Sequence, residues 1–465
     1  MSDRAGAVTS DDYRPPSMAQ ARRPNAAYKA GIFLIGGTLL PPLLLLEAWK
    51  TNSERYRHWI LTFFFTIYGA TITIAFDPLG VGADGVRHLL HVYAYYQGLS
   101  FDEFAAQLGQ IILLQENPSP SADVYKHVLS YALGGVLGLP WLFFPVVATV
   151  YGYFFTGSML IIFKHWGKAK LPWITLFLIA SFFLFKNIEG VNTVRTWTGL
   201  WVLVYACLQY YQTRKKRYLV LMAMPPFIHF GYFLMALPAY AVWLLGTRVM
   251  LYSVFFVMSS FTTVINPGQF EEIAATTELG GSRFDAYYRD SLDSADEIIA
   301  SSQESGQRFW RAFQKAGVQK WALNIFVYAL LMAGVYRYAM NAFQKRIFSV
   351  GLLTLALSNS VWFIYAASNR SWIVGAIFIF AAFVMSRTDP STVNRWPYHN
   401  SYLKVGLALS GIAFIPYFLY NLSTMLDFPS VYLVALPIVP WLVPDANMSL
   451  KEFLQILLIE MLKIL

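Results

Sequence analysis

Three polar residues with a regular spacing stand just before an apolar stretch. Glu189, Asn192 and Arg195 are three positions apart in KNIEGVNTVRTWTGLW, which begins at Lys186. At that spacing they share one face of a helix. Charged groups at membrane depth are costly unless they face a cavity or a partner. The spacing therefore predicts a functional polar face, and the alternative is that Glu189 and Arg195 only anchor helix ends at the membrane surface.

A lone histidine follows an interruption in the next apolar stretch. The basic run 214–217 is followed by ten mostly apolar residues, 218–227, which contain Pro225 and Pro226, and His229 comes directly after them. Ten residues are about half of the roughly 20 that a helix needs to cross the hydrocarbon core. A half-helix is tolerated only where its end is buried in protein or lines a wet cavity. The pattern predicts that His229 lies beside a cavity.

Other candidate residues lie between the apolar stretches. Asp84, Arg87 and His91 fall at i, i+3 and i+7, which predicts one helical face. His88 and His91 would ligate a metal only if other residues converged on them, and a helix packed on the outer face is the simpler interpretation.

Later in the chain, Asn369 and Arg370 follow an apolar stretch that we expect to span a membrane over 347–367. Arg308 and Arg311 are weaker candidates for contact with a diphosphate or a sugar, because they lie in a long mixed-charge loop.

The composition is that of an integral membrane protein. Hydrophobic residues make up 57% of the 465 residues and charged residues only 13%, with mean hydropathy +0.46, whereas soluble domains are about a quarter charged. The sequence predicts an all-α polytopic bundle of about 11–13 transmembrane helices, with a broken half-helix near 218–229 and external amphipathic helices. The net charge of +9 comes from short basic runs, and no continuous basic face for nucleic acid is visible.

Basic runs predict the orientation of the loops, because cytoplasmic loops carry an excess of Lys and Arg. The runs at 214–217 and 345–346 predict cytoplasmic loops, so the loop 266–320 must be external. An external loop there requires an odd number of membrane crossings between Arg217 and Asn266. The apolar residues available between them suit three crossings. The first apolar segment, 32–49, has basic residues at both ends. It is either a re-entrant hairpin bent at Pro41 and Pro42, or its N-terminus lies outside.

The expected organisation is one membrane domain with short flanking segments. Residues 1–28 are predicted to be a disordered tail, 29–446 the polytopic domain with external loops at about 77–130 and 266–320, and 447–465 a C-terminal amphipathic helix. Ser100 and Glu103 predict a helix start with a capping box. The stretches 403–420 and 431–442 are expected to be the last two spans.

Several of these residues resemble a known family. The chain has an Asn-x-x-Arg that opens an apolar helix (Asn192, Arg195), followed by a basic turn and a lone His (His229). This arrangement is similar to that of the EpsG/Wzy-like bacterial polysaccharide polymerases of O-antigen and exopolysaccharide synthesis. Asp84 in GADGVRHLL and the pair Asn369-Arg370 match further pieces. The likeness covers about the central two-thirds of the chain. Thr196 stands where the family often has Gln.

The resemblance implies glycosyl transfer at the outer face of the bacterial inner membrane. Polyprenyl-diphosphate-linked repeat units would be joined there, with polyprenyl diphosphate leaving and with no cofactor or metal. We hypothesise that Arg195, Arg370 and His229 stabilise the leaving diphosphate. Asp84 is then the candidate base, with Glu189 as a substitute.

The remaining substrate-binding candidates are Asn192, which would position a sugar, and Arg87, Asn369, Arg308 and Arg311. The implied partners are lipid-linked oligosaccharide, membrane lipids, and possible accessory proteins, namely a chain-length regulator and a flippase.

Two other classes of function stay open. A secondary transporter or flippase would also place cations within the membrane, although it usually has two corresponding broken segments, and this chain has one near Pro225 and a weak echo at Pro437 and Pro440. An O-antigen ligase shares the donor and the side of the membrane. A chain with one cysteine, Cys207, has no disulfide and no cysteine-based metal site. No Walker loop, HExxH or GxSxG motif is present.

Overall fold

The computed structural model describes residues 26–75, 84–115, 118–166, 171–262, 318–443 and 447–464, with five further positions between 269 and 276. Within these ranges the regular secondary structure is helical. The expectation of an all-α chain is confirmed at that level. Arg308 and Arg311, the predicted tail up to residue 25 and most of the loop 266–320 lie outside the described residues.

The chain up to residue 262 contains fourteen described α-helices, several of them short. They are α1 (Ala26–Thr38), α2 (Pro42–Lys50), α3 (Glu54–Thr71), α4 (Asp84–Ala94), α5 (Phe101–Ile112), α6 (Val124–Ser130), α7 (Phe143–Ile162), α8 (Trp173–Phe183), α9 (Thr196–Thr213), α10 (Lys216–Met222), α11 (Pro225–Ile228), α12 (Tyr232–Met235), α13 (Leu237–Leu245) and α14 (Val249–Phe261). The predicted capping box of Ser100 and Glu103 starts α5.

The chain from residue 318 onward contains seven more described α-helices. They are α15 (Val318–Met332), α16 (Val335–Tyr338), α17 (Ala342–Ser360), α18 (Tyr365–Thr388), α19 (Ser401–Asp427), α20 (Val439–Leu442) and α21 (Leu450–Ile464). The amphipathic helix expected near the C-terminus corresponds to α21, which is exposed along its length.

Four helical segments of the described chain are long and apolar enough to cross a membrane. These are Pro140–Ile162, Trp173–Thr193, Ala366–Thr388 and Ser401–Asp427. Shorter apolar helices occupy Tyr232–Leu245, Val249–Phe261 and Val318–Met332. The stretch 431–442, predicted as a span, instead forms a 3-10 turn and the one-turn helix α20. Pro437 and Pro440 account for this, because proline has no backbone N–H to donate to a helical hydrogen bond.

Helix α18 lies at the centre of the bundle. Its apolar window is enclosed by protein along its whole length. It packs most closely on α17, where Gly351 faces Ile379 and Gly375 faces Leu355. A Cβ added at Gly351 would lie 3.0 Å from the backbone nitrogen of Ile379. Small residues at such positions let two helix backbones approach, which is how helices associate in membranes.

The two ends of α18 mark the two ends of the fold. Arg370 lies in its second turn, and Asp389 caps its far end, 19 residues later. At 1.5 Å of rise per residue the two are roughly 28 Å apart, close to the thickness of a hydrocarbon core. The loop predicted to carry Asn369 and Arg370 is absent, because α17 already ends at Ser360 and both residues belong to α18.

Candidate functional site

A buried carboxylate, Asp123, contacts residues from two distant parts of the chain. Its Oδ1 accepts a hydrogen bond from the backbone N–H of Phe230 at 2.7 Å and lies 3.3 Å from His229 Nδ1. Its Oδ2 accepts a hydrogen bond from Arg195. Only 1% of the Asp123 side chain is exposed. A charge buried to this degree requires partners of this kind.

Arg370 extends the same group through His229. Its Nη1 lies 3.0 Å from His229 Nε2. A guanidinium can only donate and an ionised carboxylate can only accept. His229 Nε2 must therefore accept from Arg370, and Nδ1–H must donate to Asp123. The contacts assign the neutral Nδ1-protonated tautomer and form a continuous chain from Arg370 through His229 to Asp123 and Arg195.

The break in the helix around Pro225 makes the backbone contact possible. Helix α11 ends at Ile228, and His229 is extended, with φ −154° and ψ 123°. The N–H of Phe230 is thereby free of helical bonding and donates to Asp123. The predicted interruption is present, but α10 to α13 are four short helices rather than one half-helix and one span.

The backbone before α9 directs Arg195 toward Asp123. Residues Ile188–Thr193 form a 3-10 helix, and Val194 follows with φ +58°. A positive φ is uncommon for a β-branched residue, and such residues cluster at functional sites. Glu189, Asn192 and Arg195 do not share one helix face as predicted, because the 3-10 helix ends at Thr193 and Val194 interrupts the helical backbone before Arg195.

The other two residues of that predicted face have separate partners. Asn192 Oδ1 accepts a hydrogen bond from the N–H of Gly85 at 2.9 Å, which fixes the start of α4. Glu189 lies 4.0 Å from Lys186, which also lies over the ring of Trp197. Asp84 and Arg87 form an ion pair at 3.0 Å, and both side chains are more than half exposed.

A buried lysine lies three residues after Asp123. Lys126 donates to the carbonyl of Pro120 at 3.2 Å and lies 3.4 Å from His91 Nδ1. Burial, together with the charges of Arg195 and Arg87, lowers the pKa of Lys126 to about 7. The charges of Asp123 and Asp84 act in the opposite direction. Burial and the charge of Lys126 lower the pKa of His91 to about 4. His91 is thus a neutral acceptor for the ammonium.

The electrostatics of the group are dominated by cations. Burial raises the pKa of Asp123, but the hydrogen bond from His229, the charge of Arg195 and the N–H of Phe230 outweigh it and hold the pKa below its usual value. Asp123 is the one carboxylate in this hydrogen-bonded group, which also holds Arg195 and, through His229, Arg370, with Lys126 nearby. A group with more cations than carboxylates is suited to a phosphate or diphosphate, since Arg makes forked contacts with phosphate oxygens.

A polar pocket opens at the same end of α18 as Arg370. It has a volume of about 300 Å³ and is lined by amides, hydroxyls and aromatic rings: Ser259, Ser260, Phe261, Thr262, Lys320, Trp321, Asn324, Ser358, Asn359, Trp362 and Ser368. Asn359 donates to Ser260 at 3.2 Å, and Lys320 donates to Ser368 at 3.0 Å. The amide of Asn324 is only 7% exposed and has no hydrogen-bond partner among the described residues. It is therefore available to a ligand.

The structure brings Arg195, His229 and Arg370, three of the candidate residues, into one hydrogen-bonded group through Asp123. Asn369 is half-buried beside Arg370 and makes no side-chain hydrogen bond within the described chain. Sequence patterns do not single out Asp123 and Lys126, because the segment PSPSADVYKH falls within the predicted external loop 77–130. Their i, i+3 spacing next to His127 was the available signal. The described residues contain no group of three side chains suited to hold a metal.

Comparisons with protein-family models, with curated proteins and with solved structures gave no significant match to this chain.

Proposed function

We propose that this protein is a membrane glycosyltransferase that polymerises polyprenyl-diphosphate-linked oligosaccharide repeat units at the outer face of the bacterial inner membrane. The observation that carries the proposal is the buried chain of Arg195, Asp123, His229 and Arg370, with Lys126 beside it. Its excess of positive charge matches a diphosphate. The described chain also has four helices long and apolar enough to cross a membrane, which suits a lipid-borne substrate.

The proposed reaction is a displacement at the anomeric carbon of the lipid-linked donor. A hydroxyl oxygen of the acceptor sugar attacks that carbon, the bond from carbon to the diphosphate oxygen breaks, and polyprenyl diphosphate leaves with the electron pair. Arg195 and Arg370 stabilise the charge that develops on the leaving oxygen. Asp123 and His229 hold the two guanidiniums in place rather than touching the reacting atoms.

The hydroxyl proton needs an acceptor within reach of the sugar. Asp84 remains our candidate, because its carboxylate is more than half exposed and lies at the start of α4, next to the contact between Asn192 and Gly85. Lys126 is the second candidate, since its pKa of about 7 provides a neutral amine near physiological pH. Glu189 is the weakest of the three, because its carboxylate faces Lys186.

The polar pocket around Asn324 supports a carbohydrate substrate. Closely spaced amides and hydroxyls suit a ligand with many hydroxyl groups, and Trp321 and Trp362 provide flat apolar surfaces. Ser368 in this pocket and Arg370 in the cationic group are two residues apart on α18. They point to different sides of that helix, so roughly 10 Å, the diameter of a helix, separates the two sites. A lipid-linked oligosaccharide is long enough to reach both.

A flippase for the same lipid is the second candidate. The observation that favours it is the series of short helices from Lys216 to Leu245, because transporters place their substrates at interrupted helices. An O-antigen ligase would use the same donor with another acceptor. The three differ in their product.

The test uses purified protein in detergent with a lipid-linked repeat unit and no nucleotide sugar. We expect a ladder of longer lipid-linked glycans, which Arg195→Ala abolishes. Arg395→Ala, a change on an exposed turn at the other end of α18, serves as the control and should leave the ladder intact. Movement of the lipid across a liposome bilayer without a ladder would replace the polymerase by a flippase. Transfer to a separate acceptor lipid alone would indicate a ligase.

A further inference from the structure

An apolar groove runs along α14 on the outside of the bundle. Two cavities of about 670 and 660 Å³ form it, and they are continuous because both are lined by Met250, Val254, Tyr336 and Arg337. The α14 side chains Met250, Val254 and Met258 line it and are between 46% and 62% exposed. The opposite wall comes from the end of α15 and from α16.

One end of this groove is strongly basic. Arg248, Arg337 and Lys345 line it together. Arg248 donates to the carbonyl of Leu245 at 3.1 Å, and Arg337 donates to the hydroxyl of Tyr336 at 2.8 Å. None of the three forms an ion pair with a carboxylate in the part of the chain that the structure describes. The three charges thus lack a protein counter-ion there.

The basic end lies at the opposite end of the fold from Arg370. Asn341 and Gln344, at the start of α17 next to Lys345, both donate to Asp389 at the far end of α18. At the other end of α14, Ser260 accepts from Asn359 near the end of α17. Helix α14 therefore runs parallel to α17, from the basic end toward the end that holds Arg370.

The dimensions of the groove match those of a lipid. Thirteen residues of α14 are about 20 Å long, which is of the order of one leaflet's acyl chains plus the headgroup region. Methionine side chains adapt to irregular apolar partners. An excess of Lys and Arg identifies the cytoplasmic side, where anionic lipids are attracted to basic pockets between helices.

We propose that the groove along α14 is a binding site for an anionic glycerophospholipid of the cytoplasmic leaflet. The phosphate contacts Arg248, Arg337 and Lys345, and an acyl chain lies against Met250, Val254 and Met258. A bound lipid would connect α14 to α16 and α17, which contribute the basic side chains. The site is separate from the cationic group at Asp123 and does not depend on the proposed reaction.

The test compares two lipids with identical acyl chains on delipidated protein in detergent. We expect phosphatidylglycerol to raise the melting temperature and to be retained in native mass spectra at least tenfold more than phosphatidylcholine. The triple variant Arg248→Ala, Arg337→Ala, Lys345→Ala should lose that preference. The matched control, Arg214→Ala, Lys215→Ala, Lys216→Ala, removes three charges from the exposed turn after α9. It should keep the preference for phosphatidylglycerol.

A second variant tests the apolar half of the site with the charges intact. Val254→Trp fills the groove from an exposed position of α14, so it should fold normally and weaken retention of phosphatidylglycerol by at least tenfold. Equal retention of the two lipids would overturn the proposal, as would an equal loss in the control triple variant. If inorganic phosphate alone gives the same rise in melting temperature, the site binds phosphate and not a lipid.

Discussion

Asp123 Oδ1 and His229 Nδ1 lie 3.3 Å apart although 106 residues separate them in the chain. The contact joins the segment before α6 to the helix interruption after α11. Because His229 also accepts from Arg370, a residue of the central helix becomes part of the same hydrogen-bonded group. Two arginines are thereby positioned by one carboxylate, directly or through one imidazole.

Replacing Asp123 should be more damaging than replacing the exposed carboxylate nearby. Asp123→Asn keeps the shape but leaves Arg195 without its counter-ion, which in a buried pair costs about 3–5 kcal/mol. Asp84→Asn breaks only the exposed pair with Arg87 and should cost under about 1 kcal/mol. Thermal unfolding in detergent measures both. Similar stabilities for the two variants would contradict the anchoring role of Asp123.

Arg370 and His229 should behave as one unit. In a double-mutant cycle of Arg370→Ala and His229→Ala, we expect a coupling of at least about 1 kcal/mol in the binding of polyprenyl diphosphate, because each single change already breaks the chain of hydrogen bonds. Arg387 lies about 25 Å from Arg370 along α18, at 1.5 Å per residue. The control pair of Arg387→Ala with His229→Ala should therefore show additive effects. Additivity between Arg370 and His229 would mean that they act independently.

Lys126 should make stability rise with pH in a defined window. Its pKa is about 7 in the folded protein and near 10.5 in the unfolded chain. Between these values the unfolded chain binds a proton that the folded chain lacks, so the free energy of unfolding increases with pH. His91, with its pKa of about 4, titrates below this window. Melting curves from pH 7 to 10 should show the rise in the wild type and a flatter profile in Lys126→Met.

The same titration should affect anion binding. Protonated Lys126 adds a positive charge to the group, so diphosphate should bind more tightly below pH 7 than above it. The ligand titrates as well, which makes the difference between the wild type and Lys126→Met the informative quantity. If both proteins show the same pH dependence of diphosphate affinity, Lys126 does not contribute to the site.

A buried hydroxyl behind the cationic group supports the turn that precedes α9. Tyr151 donates to the carbonyl of Asn187 at 2.5 Å and accepts from Trp201 Nε1 at 2.9 Å. Tyr151→Phe leaves both groups without that partner and should cost about 1–3 kcal/mol. Tyr68 is equally buried, and its hydroxyl has no partner among the described residues, so Tyr68→Phe should be neutral or stabilising. The opposite order in thermal unfolding would refute this account.

The apolar composition predicts a helical chain with membrane-spanning segments, because those properties follow from burial of backbone polar groups in lipid. The interruption at Pro225 could also be located, since proline acts locally. The shared face of Glu189, Asn192 and Arg195 could not be judged from spacing. One residue with positive φ, Val194, changes the direction of the backbone, and nothing in a valine signals it.

Asp123 illustrates the other limit. Its partners are Arg195, His229 and the N–H of Phe230, all more than 70 residues away in sequence. Periodicity identifies residues on one helix face, but not a carboxylate in an irregular segment that becomes buried through long-range packing. Of the three basic residues of the α14 groove, sequence patterns single out only Lys345, in the run 345–346 that predicts a cytoplasmic loop.

The enclosure of α18 has a consequence for how the protein is made. A helix that begins at residue 365 is synthesised after α7, α8, α9, α14, α15 and α17, yet in the finished bundle protein surrounds its apolar segment on all sides. The earlier helices must therefore leave an open slot during insertion, and α19, which follows α18 in synthesis, closes part of it. A chain truncated before α19 should expose α18 to lipid and to site-specific crosslinkers carried on the acyl chains, whereas the full-length chain should protect it.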